Sequence, residues 1–421
     1  VPPRRLRAPH DPVTISLDGE ALAAERDEPV VVALVAAGAL ALARSAKFHR
    51  PRGPSCLRAA CEGCLARVDG EPNIMTCRAR AREGTAVTTQ NSLGSRNVDL
   101  LRMTDWFFPE GLNHHELFAG VPGLQSVMMS FARRVAGLGK LPSAVRAPTP
   151  ARRRHLDVVV VGSGPSGMAT ALELAARGRH VTVLDDALAA GGVARALGAE
   201  RGVFGPLLAA FSQAVAAGRV ALGLEVTVGA LYEGDLLAVG PSGAEVLTAE
   251  TLVLATGAHD GQAIFLGNDL PGVLSARAAA ELVAHGVLVG ERVAWCHPEG
   301  PTAFGHAFAA AARAEGATVH AFPALPREVH GGTVVEGATF SLGGEEVIYD
   351  LDAVVLDLPS SPTYELAVQA GARVRHEPRG YVVVADRQGV IAPGGVRGVG
   401  ELVGTPLEPE RVLTEASRVA G

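Results

Sequence analysis

Residues 55–77 read SCLRAACEGCLARVDGEPNIMTC. Four of the chain's five cysteines fall in this stretch, at Cys56, Cys61, Cys64 and Cys77, spaced C-x4-C-x2-C-x12-C. The two short gaps let one loop wrap a metal group, and the distant fourth thiol closes it from a neighbouring strand. Around this loop the pattern alternates and turns. Val13 to Leu17 alternates as a strand, Asp18-Gly19 is a tight-turn signal, and Glu20 to Ala24 returns. Pro29 to Leu42 reads as a helix with proline in its first turn. After the loop come strands over Leu65–Val68, Asn73–Cys77 and Val87–Thr89, with Asp69-Gly70 between the first two.

Four thiolates in this spacing suit a plant-type [2Fe–2S] cluster, whose two irons take four cysteines. Zinc is the other reading, but zinc sites usually show two C-x2-C pairs or added histidines, and one such pair is present. With the cysteines, the order hairpin, helix, loop, strands becomes that of a β-grasp ferredoxin-like domain. Plant-type loops usually carry glycines beside the first two cysteines, whereas this chain has Ala59, Ala60 and Glu62 before Gly63. A Glu62 pointing inward would lower the cluster's reduction potential.

At 421 residues the chain has room for two or three domains. A net charge of −6 argues against a nucleic-acid footprint. The longest uncharged apolar run, Val30 to Ala43, is too short to span a bilayer. No basic-then-apolar leader opens the sequence, so a cytoplasmic location is expected and a disulfide set is not. Residues 1–12, basic and proline-rich, read as a loose arm. Residues 92–150 read as a connector, with Trp106, Phe107 and Phe108 clustered, paired His114 and His115, and a helical stretch around Leu124–Val135. The histidine pair lacks a third ligand at suitable spacing and reads as a solvated or interface pair.

A second organised unit begins at His155–Val161, a buried-strand run followed at once by Gly162-Ser163-Gly164-Pro165-Ser166-Gly167. Met168–Arg177 is helical and His180–Leu184 is a strand ending in Asp185. This is a full βαβ dinucleotide fingerprint. Gly162 makes the tight turn, Gly164 lets backbone approach a pyrophosphate, and Gly167 lets helix and strand pack closely. The helix N-terminus offers N–H groups to phosphate. Asp185 is placed for the adenosine ribose and favours FAD or NAD over a 2′-phosphorylated cofactor. Gly191 and Gly192 follow, Val226 falls in a short strand able to edge the adenine, and Thr251–Ala258 is a strand ending at Thr256-Gly257.

The chain then repeats the fold. Glu291–Cys296, Ala303–Glu315 and Thr318–Phe322 read strand, helix, strand, but the joining loop is His297-Pro298-Glu299-Gly300-Pro301. Without the glycine triplet, and with Glu299 where phosphate would sit, this half is expected to keep the fold and lose the dinucleotide site. Cys296 reads as core. Asp352–Leu358 reads as a strand returning to the first unit, with further strands at Gly380–Asp386 and Val396–Glu401 and a last helix over Glu408–Val419.

An ADP-binding βαβ, an Ala255-Thr256-Gly257 segment, an inserted second Rossmann unit and a late Val399-Gly400-Glu401 resemble the two-dinucleotide-binding-domain flavoproteins. There, a late Gly-Asp or Gly-Glu holds the flavin ribityl chain, a role the resemblance assigns to Gly400 and Glu401. Ser45 to Gly53, Glu71-Pro72-Asn73 and Leu270-Pro271-Gly272-Val273 are similar to the α subunit of heterotetrameric sarcosine oxidase. The α-type subunits of hydrogen cyanide synthase, opine oxidases and hydroxyproline dehydrogenases belong to the same group. The sarcosine oxidase α subunit continues into a long folate-associated half beyond the matching residues, binds NAD at its main Rossmann site and lacks the four cysteines.

The resemblance implies an α/β chain. Residues 1–91 form a [2Fe–2S] ferredoxin-like domain and 92–150 a connector. Residues 151–264 with 357–421 form an FAD-binding domain, and 265–356 an inserted degenerate NAD-type domain. It implies FAD and a [2Fe–2S] cluster as cofactors, with NAD possible in place of FAD. It further implies an α-type subunit of an amine or amino-acid oxidase or dehydrogenase, for a sarcosine-, proline- or opine-like substrate, in a hetero-oligomer with a flavoprotein β subunit. The other reading is a non-catalytic scaffold that binds NAD structurally for such a subunit. A stand-alone NADH:acceptor reductase needs a working second Rossmann site, which Glu299 disfavours. No catalytic base is assigned; His259, just after the Thr256-Gly257 segment, faces either the flavin or a structural partner.

Overall fold

The computed structural model describes residues 2–45, 50–91, 127, 150–198 and 202–421. The features read at Ala46–His49, Trp106–Phe108 and His114–His115, and all of Leu124–Val135 but Val127, lie outside the described residues. Two compact units are present, one drawn from 1–146, 263–298 and 309–356, the other from 147–262, 299–308 and 357–421.

In the first unit, β1 (Pro12–Leu17) and β2 (Glu20–Glu25) form a hairpin whose Asp18 and Gly19 have φ of 51° and 89°. Two positive φ values make a type I′ turn, which matches the twist of paired strands and favours Asp-Gly. Val13, Ile15 and Leu17 alternate inward from β1, and α1 (Val30–Ala36) buries Val30 through Val35. The helix predicted to Leu42 stops at Ala36 because Gly38, at φ 82°, closes it in a Schellman motif. Gly38 N–H donates to the Val35 carbonyl at 2.8 Å and Ala39 N–H to the Leu34 carbonyl at 2.9 Å. β3 (Leu65–Val68), β4 (Glu71–Met75) and β5 (Ala86–Thr88) complete a sheet of order β2-β1-β5-β3-β4, with β1 and β5 parallel. This is the ferredoxin-like domain expected from the sequence. The arm read as loose is ordered: Arg4 and Arg5 pair antiparallel with Leu288 and Val287.

In the second unit, the C-terminal part of β6 (Arg152–Val161) is buried on both faces. Val158 and Val160 join Met168, Leu174 and Phe211, while Val159 and Val161 join Leu231, Leu236 and Leu252. A strand with two covered faces needs an unbroken apolar run, which the four valines supply. There follow α2 (Pro165–Ala176), β7 (Val181–Leu184), α3 (Gly205–Ala216), β8 (Val220–Gly223), β9 (Thr227–Tyr232), β10 (Asp235–Gly240) and β11 (Gly243–Leu254). The sheet order is β8-β7-β6-β11-β10-β9; the first four are parallel and the last two add an antiparallel meander. The strand read over Thr251–Ala258 is therefore the end of a longer one that stops at Leu254.

The inserted segment supplies β12 (Val273–Ser275), α4 (Ala276–Ala284), β13 (Arg292–Cys296), α5 (Ala303–Ala314), β14 (Thr318–Phe322) and β15 (Ala353–Leu356). Its sheet is parallel, in the order β12-β15-β13-β14. This corrects the reading of Asp352–Leu358 as a return to the first Rossmann sheet. Its four fully buried residues lie between β12 and β13, the interior position such a run demands. The second unit closes with β16 (Val390–Ala392), β17 (Val396–Gly398) and α6 (Pro409–Ala420). β17 lies parallel to β11, and α6 packs against α2. No helix among the described residues is long and apolar enough to cross a membrane.

Candidate functional site: a paired-thiol loop and an open dinucleotide corner

The cysteine loop is shaped by left-handed backbone. Leu57, Ala59 and Glu62 have φ of 56°, 60° and 53°. These are the conformations for which glycine is the unstrained residue, at about 1–2 kcal/mol for any other. Ala59→Gly is therefore expected to stabilise the chain by about 1 kcal/mol, measured by chemical denaturation; a loss of stability would count against the loop as described. Gly63 crosses close to Gly53, where a Cβ would lie 1.9 Å from the Gly53 carbonyl oxygen.

Cys56, Cys64 and Cys77 are buried and Cys61 is half-buried. The β3–β4 hairpin explains the long C-x12-C gap. Leu65 pairs with Met75, and Thr76 bonds the Cys64 carbonyl through its N–H (3.1 Å) and its hydroxyl (2.8 Å), which sets Cys77 beside Cys64. The thiols come as two neighbouring pairs, Cys56 with Cys61 and Cys64 with Cys77. The Cys56 thiol holds Cys61 down to about 5, and the Cys77 thiol holds Cys64 down to about 7. Among the described residues no three His, Cys, Asp or Glu side chains are grouped around a single-ion position. Two pairs suit two irons with two thiolates each.

Backbone donors surround the sulfurs. Arg58 and Ala60 N–H reach Cys56 Sγ at 3.3 Å, and Gly63 N–H reaches Cys61 Sγ at 3.4 Å. Donors of this kind stabilise anionic sulfur, so the residues present fit a [2Fe–2S] cluster. Glu62 is exposed, so the inward charge considered from the sequence is not placed on the cluster.

At the dinucleotide corner, Gly162 has φ 105°, and a Cβ there would lie 2.3 Å from the Ala255 carbonyl oxygen. A Cβ on Gly167 would lie 2.0 Å from the Gly162 oxygen, whereas nothing lies within 4 Å of one on Gly164. Gly164 is the N-cap of α2 and Pro165 opens the helix; no side chain caps it, which leaves the helix N-terminus for a ligand. Gly192 folds back on this corner, with a Cβ position 3.0 Å from Gly164 Cα. Gly400, at φ 77°, approaches Ser166, whose Oγ would be 2.7 Å from a Cβ at Gly400. Glu401 accepts a hydrogen bond from the Ser360 hydroxyl at 2.9 Å. The Thr256 hydroxyl donates to the Thr363 carbonyl at 2.9 Å, and Gly257, at φ 71°, accepts from Thr363 N–H at 3.0 Å.

Asp185 accepts three bonds from its own chain: Ser163 N–H and hydroxyl (both 2.6 Å) on Oδ2, and Ala187 N–H (2.8 Å) on Oδ1. A carboxylate has about four acceptor positions, so one remains for a ribose hydroxyl. Val226 is not in a strand. It lies in the loop between β8 and β9, with its N–H donating to the Asp185 carbonyl at 2.9 Å. These residues form one corner that fits a dinucleotide.

His259 has a partner of its own. It is half exposed, with Nε2 3.4 Å from Glu365 Oε1. Cys296 is fully buried, and burial pushes its thiol up to about 12.

Two residues escaped the sequence reading. Glu415, on α6, is 5% exposed; it accepts from Gly400 N–H at 2.7 Å and from the Thr405 hydroxyl at 2.5 Å. Burial pushes this carboxyl above its ordinary range. Asp357, 1% exposed, accepts from Thr302 N–H (2.9 Å) and hydroxyl (2.6 Å). Thr302 Oγ in turn accepts from Phe304 and Gly305 N–H, capping α5. The second Rossmann helix thus carries an internal carboxylate where the first leaves its N-terminus open. The sequence reading gave that role to Glu299, which is exposed. A sequence signal existed in Thr302, an N-cap residue directly before a helical run.

The family of 2Fe-2S iron-sulfur cluster binding domains matches residues 10–92, and that of NAD(P)-binding Rossmann-like domains matches residues 160–204. The sarcosine oxidase subunit alpha of Rhizobium meliloti (strain 1021) is 26% identical over 449 residues, covering 95% of this chain and 44% of that protein. That of Corynebacterium sp. (strain P-1) is 30% identical over 306 residues, covering 67% and 27%. The chain therefore spans less than half the length of these relatives. The crystal structure of L-proline dehydrogenase from P. horikoshii matches with a TM-score of 0.73 at 20% identity, over all of this chain and 75% of that one, which shows a shared fold. The chain is thus similar over 95% of its length to a sarcosine oxidase subunit alpha, with its four clustered cysteines inside the stretch that matches 2Fe-2S domains and its glycine corner inside the stretch that matches Rossmann-like domains.

Proposed function

We propose that this chain is the FAD- and [2Fe–2S]-bearing α-type subunit of an oxidoreductase acting on the CH–NH bond of an amine or amino acid, with a flavoprotein β subunit as its partner. One observation carries the reading: four cysteines gathered by one loop and the hairpin beside it, with backbone N–H groups on their sulfurs, occur in the same chain as a glycine-lined dinucleotide corner. The chemistry such groups supply when bound is acceptance of an electron pair at the flavin and single-electron passage through the cluster.

The chain's residues provide placement and electrostatics. Cys56, Cys61, Cys64 and Cys77 ligate, and the N–H groups of Arg58, Ala60 and Gly63 temper the negative charge on sulfur. Gly162, Gly164, Pro165, Ser166 and Gly167 present the α2 N-terminus to the pyrophosphate, with Gly192 closing over it. Asp185 holds a ribose hydroxyl, and Val226, Thr256 and Gly257 line the same corner. Gly400 and Glu401 hold the ribityl end, supported by Glu415.

In this reading residues 1–91 carry the cluster. Residues 151–264 with 357–421 carry the flavin, 265–356 carry no dinucleotide, and the complex is cytoplasmic. The test is the visible spectrum of anaerobically purified protein before and after dithionite. Flavin bands over a broad bleachable iron–sulfur envelope are expected. A colourless protein that releases NAD on denaturation would overturn the reading in favour of a scaffold subunit.

A further inference from the structure

FAD and NAD share an ADP half, so the glycines after β6 and Asp185 do not by themselves tell the two apart. What separates them must meet the other half. The 3-10 turn Gly400–Val403 stands against the start of α2, where a Cβ on Gly400 would lie 2.7 Å from Ser166 Oγ. It borders the corner without belonging to the stretch from Gly162 to Asp185 that addresses the ADP half.

One carboxylate holds this turn at both ends. Gly400 is buried at φ 77°, and its N–H donates to Glu415 Oε2 at 2.7 Å. Beyond the turn, the Thr405 hydroxyl donates to Glu415 Oε1 at 2.5 Å, and Thr405 N–H closes on the Gly400 carbonyl at 3.0 Å. The first N–H of a helical turn has no partner inside it, and a buried donor left without an acceptor is costly. Glu415 answers that donor from α6, which packs along α2. Arg418, one turn further along α6, lies 3.7 Å from Glu415 and is itself anchored on the Arg387 carbonyl at 2.6 Å.

We propose that Glu415 is a positioning residue that makes the corner select FAD among ADP-containing cofactors: by clamping Gly400 and Thr405 it presents the turn to the half of the cofactor beyond the pyrophosphate. This rests on the FAD reading of the corner and deepens it.

The test compares FAD and ADP binding to the flavin-depleted full chain by titration calorimetry, with denaturation of the same samples alongside. In Glu415→Ala, FAD affinity is expected to fall about 10-fold or more while ADP affinity stays within about twofold of the wild type. Glu415→Gln keeps both bonds, its amide oxygen accepting from Gly400 and its amide nitrogen donating to Thr405 Oγ, and should hold FAD affinity within about threefold of the wild type. Thr405→Val removes one bond and falls between. A role confined to folding would lower both affinities in parallel. That result overturns the proposal, as does full FAD affinity in Glu415→Ala, or a Glu415→Gln protein as weak as Glu415→Ala. Should Glu415→Ala not fold, Thr405→Val decides: weaker FAD with unchanged ADP supports the proposal, and any other result overturns it. A wild-type chain that binds FAD no better than ADP defeats the FAD reading and the proposal together. That failure shows in the wild type, whereas failure of the proposal alone shows only in the variants.

Discussion

Cys77→Ala is expected to abolish the iron–sulfur cluster while leaving the flavin in place. Iron falls from about two atoms per chain to near zero, and the broad visible envelope disappears. Cys77 reaches its pair through the β3–β4 hairpin and the two Thr76 bonds to the Cys64 carbonyl, none of which needs its sulfur. The fold should therefore survive, losing about 1 kcal/mol for a small buried group. The loss is total because each iron depends on two thiolates and the Cys64–Cys77 pair would be halved. Iron analysis and the flavin content of the same sample decide the matter. Unchanged iron would remove the four-cysteine site, and simultaneous loss of flavin would mean that the substitution unfolds more than the loop.

Gly164→Val and Gly167→Ala should separate cofactor binding from folding. Gly164 has φ −67° and ψ 179°, which valine accepts, and nothing stands within 4 Å of a Cβ there. The side chain fills only the space left for a pyrophosphate. Flavin affinity is expected to fall at least about 100-fold, roughly 2.7 kcal/mol, with the stability of the flavin-free chain unchanged. At Gly167 a Cβ would meet the Gly162 carbonyl oxygen at 2.0 Å, a backbone atom that cannot swing away. That variant should lose about 3 kcal/mol or more of stability before any ligand is added. Equilibrium flavin binding and denaturation of the flavin-free proteins give the comparison. Full flavin affinity in Gly164→Val would move the cofactor away from this corner.

Local chemistry was legible wherever one short segment decided its own conformation. The alternation of Val13, Ile15 and Leu17 and the Asp18-Gly19 turn marked the first hairpin, because a period of two and two positive φ values are properties of those residues alone. The unbroken run Val158–Val161 and the glycines after it marked the βαβ unit for the same reason. The end of α1 was misplaced because the apolar run Val30–Leu42 outlasts the helix; Gly38 was in view, but apolar periodicity outweighed a single glycine. Ala353–Leu356 was assigned to the wrong sheet, since a buried strand carries no mark of which sheet buries it. The loose reading of the arm failed similarly: nothing in Arg4 and Arg5 announces a partner more than 280 residues away at Val287 and Leu288.

By itself, the sequence determined which residue types stand at short, fixed spacing: four cysteines for a cluster, glycines and an aspartate for a dinucleotide, and a second Rossmann repeat without those glycines. These are local because a loop or a helix N-terminus is built from consecutive residues. Only the tertiary structure decided what distant residues do to them. It put Asp357, not Glu299, at the start of α5, turned Glu62 outward, set Glu415 under Gly400 and bonded Ser275 to Ser55. Each of these is a contact between segments 15 or more residues apart or a side-chain direction fixed by packing. Hydrogen-bond geometry and burial, which decide such choices, exist only once the chain has folded.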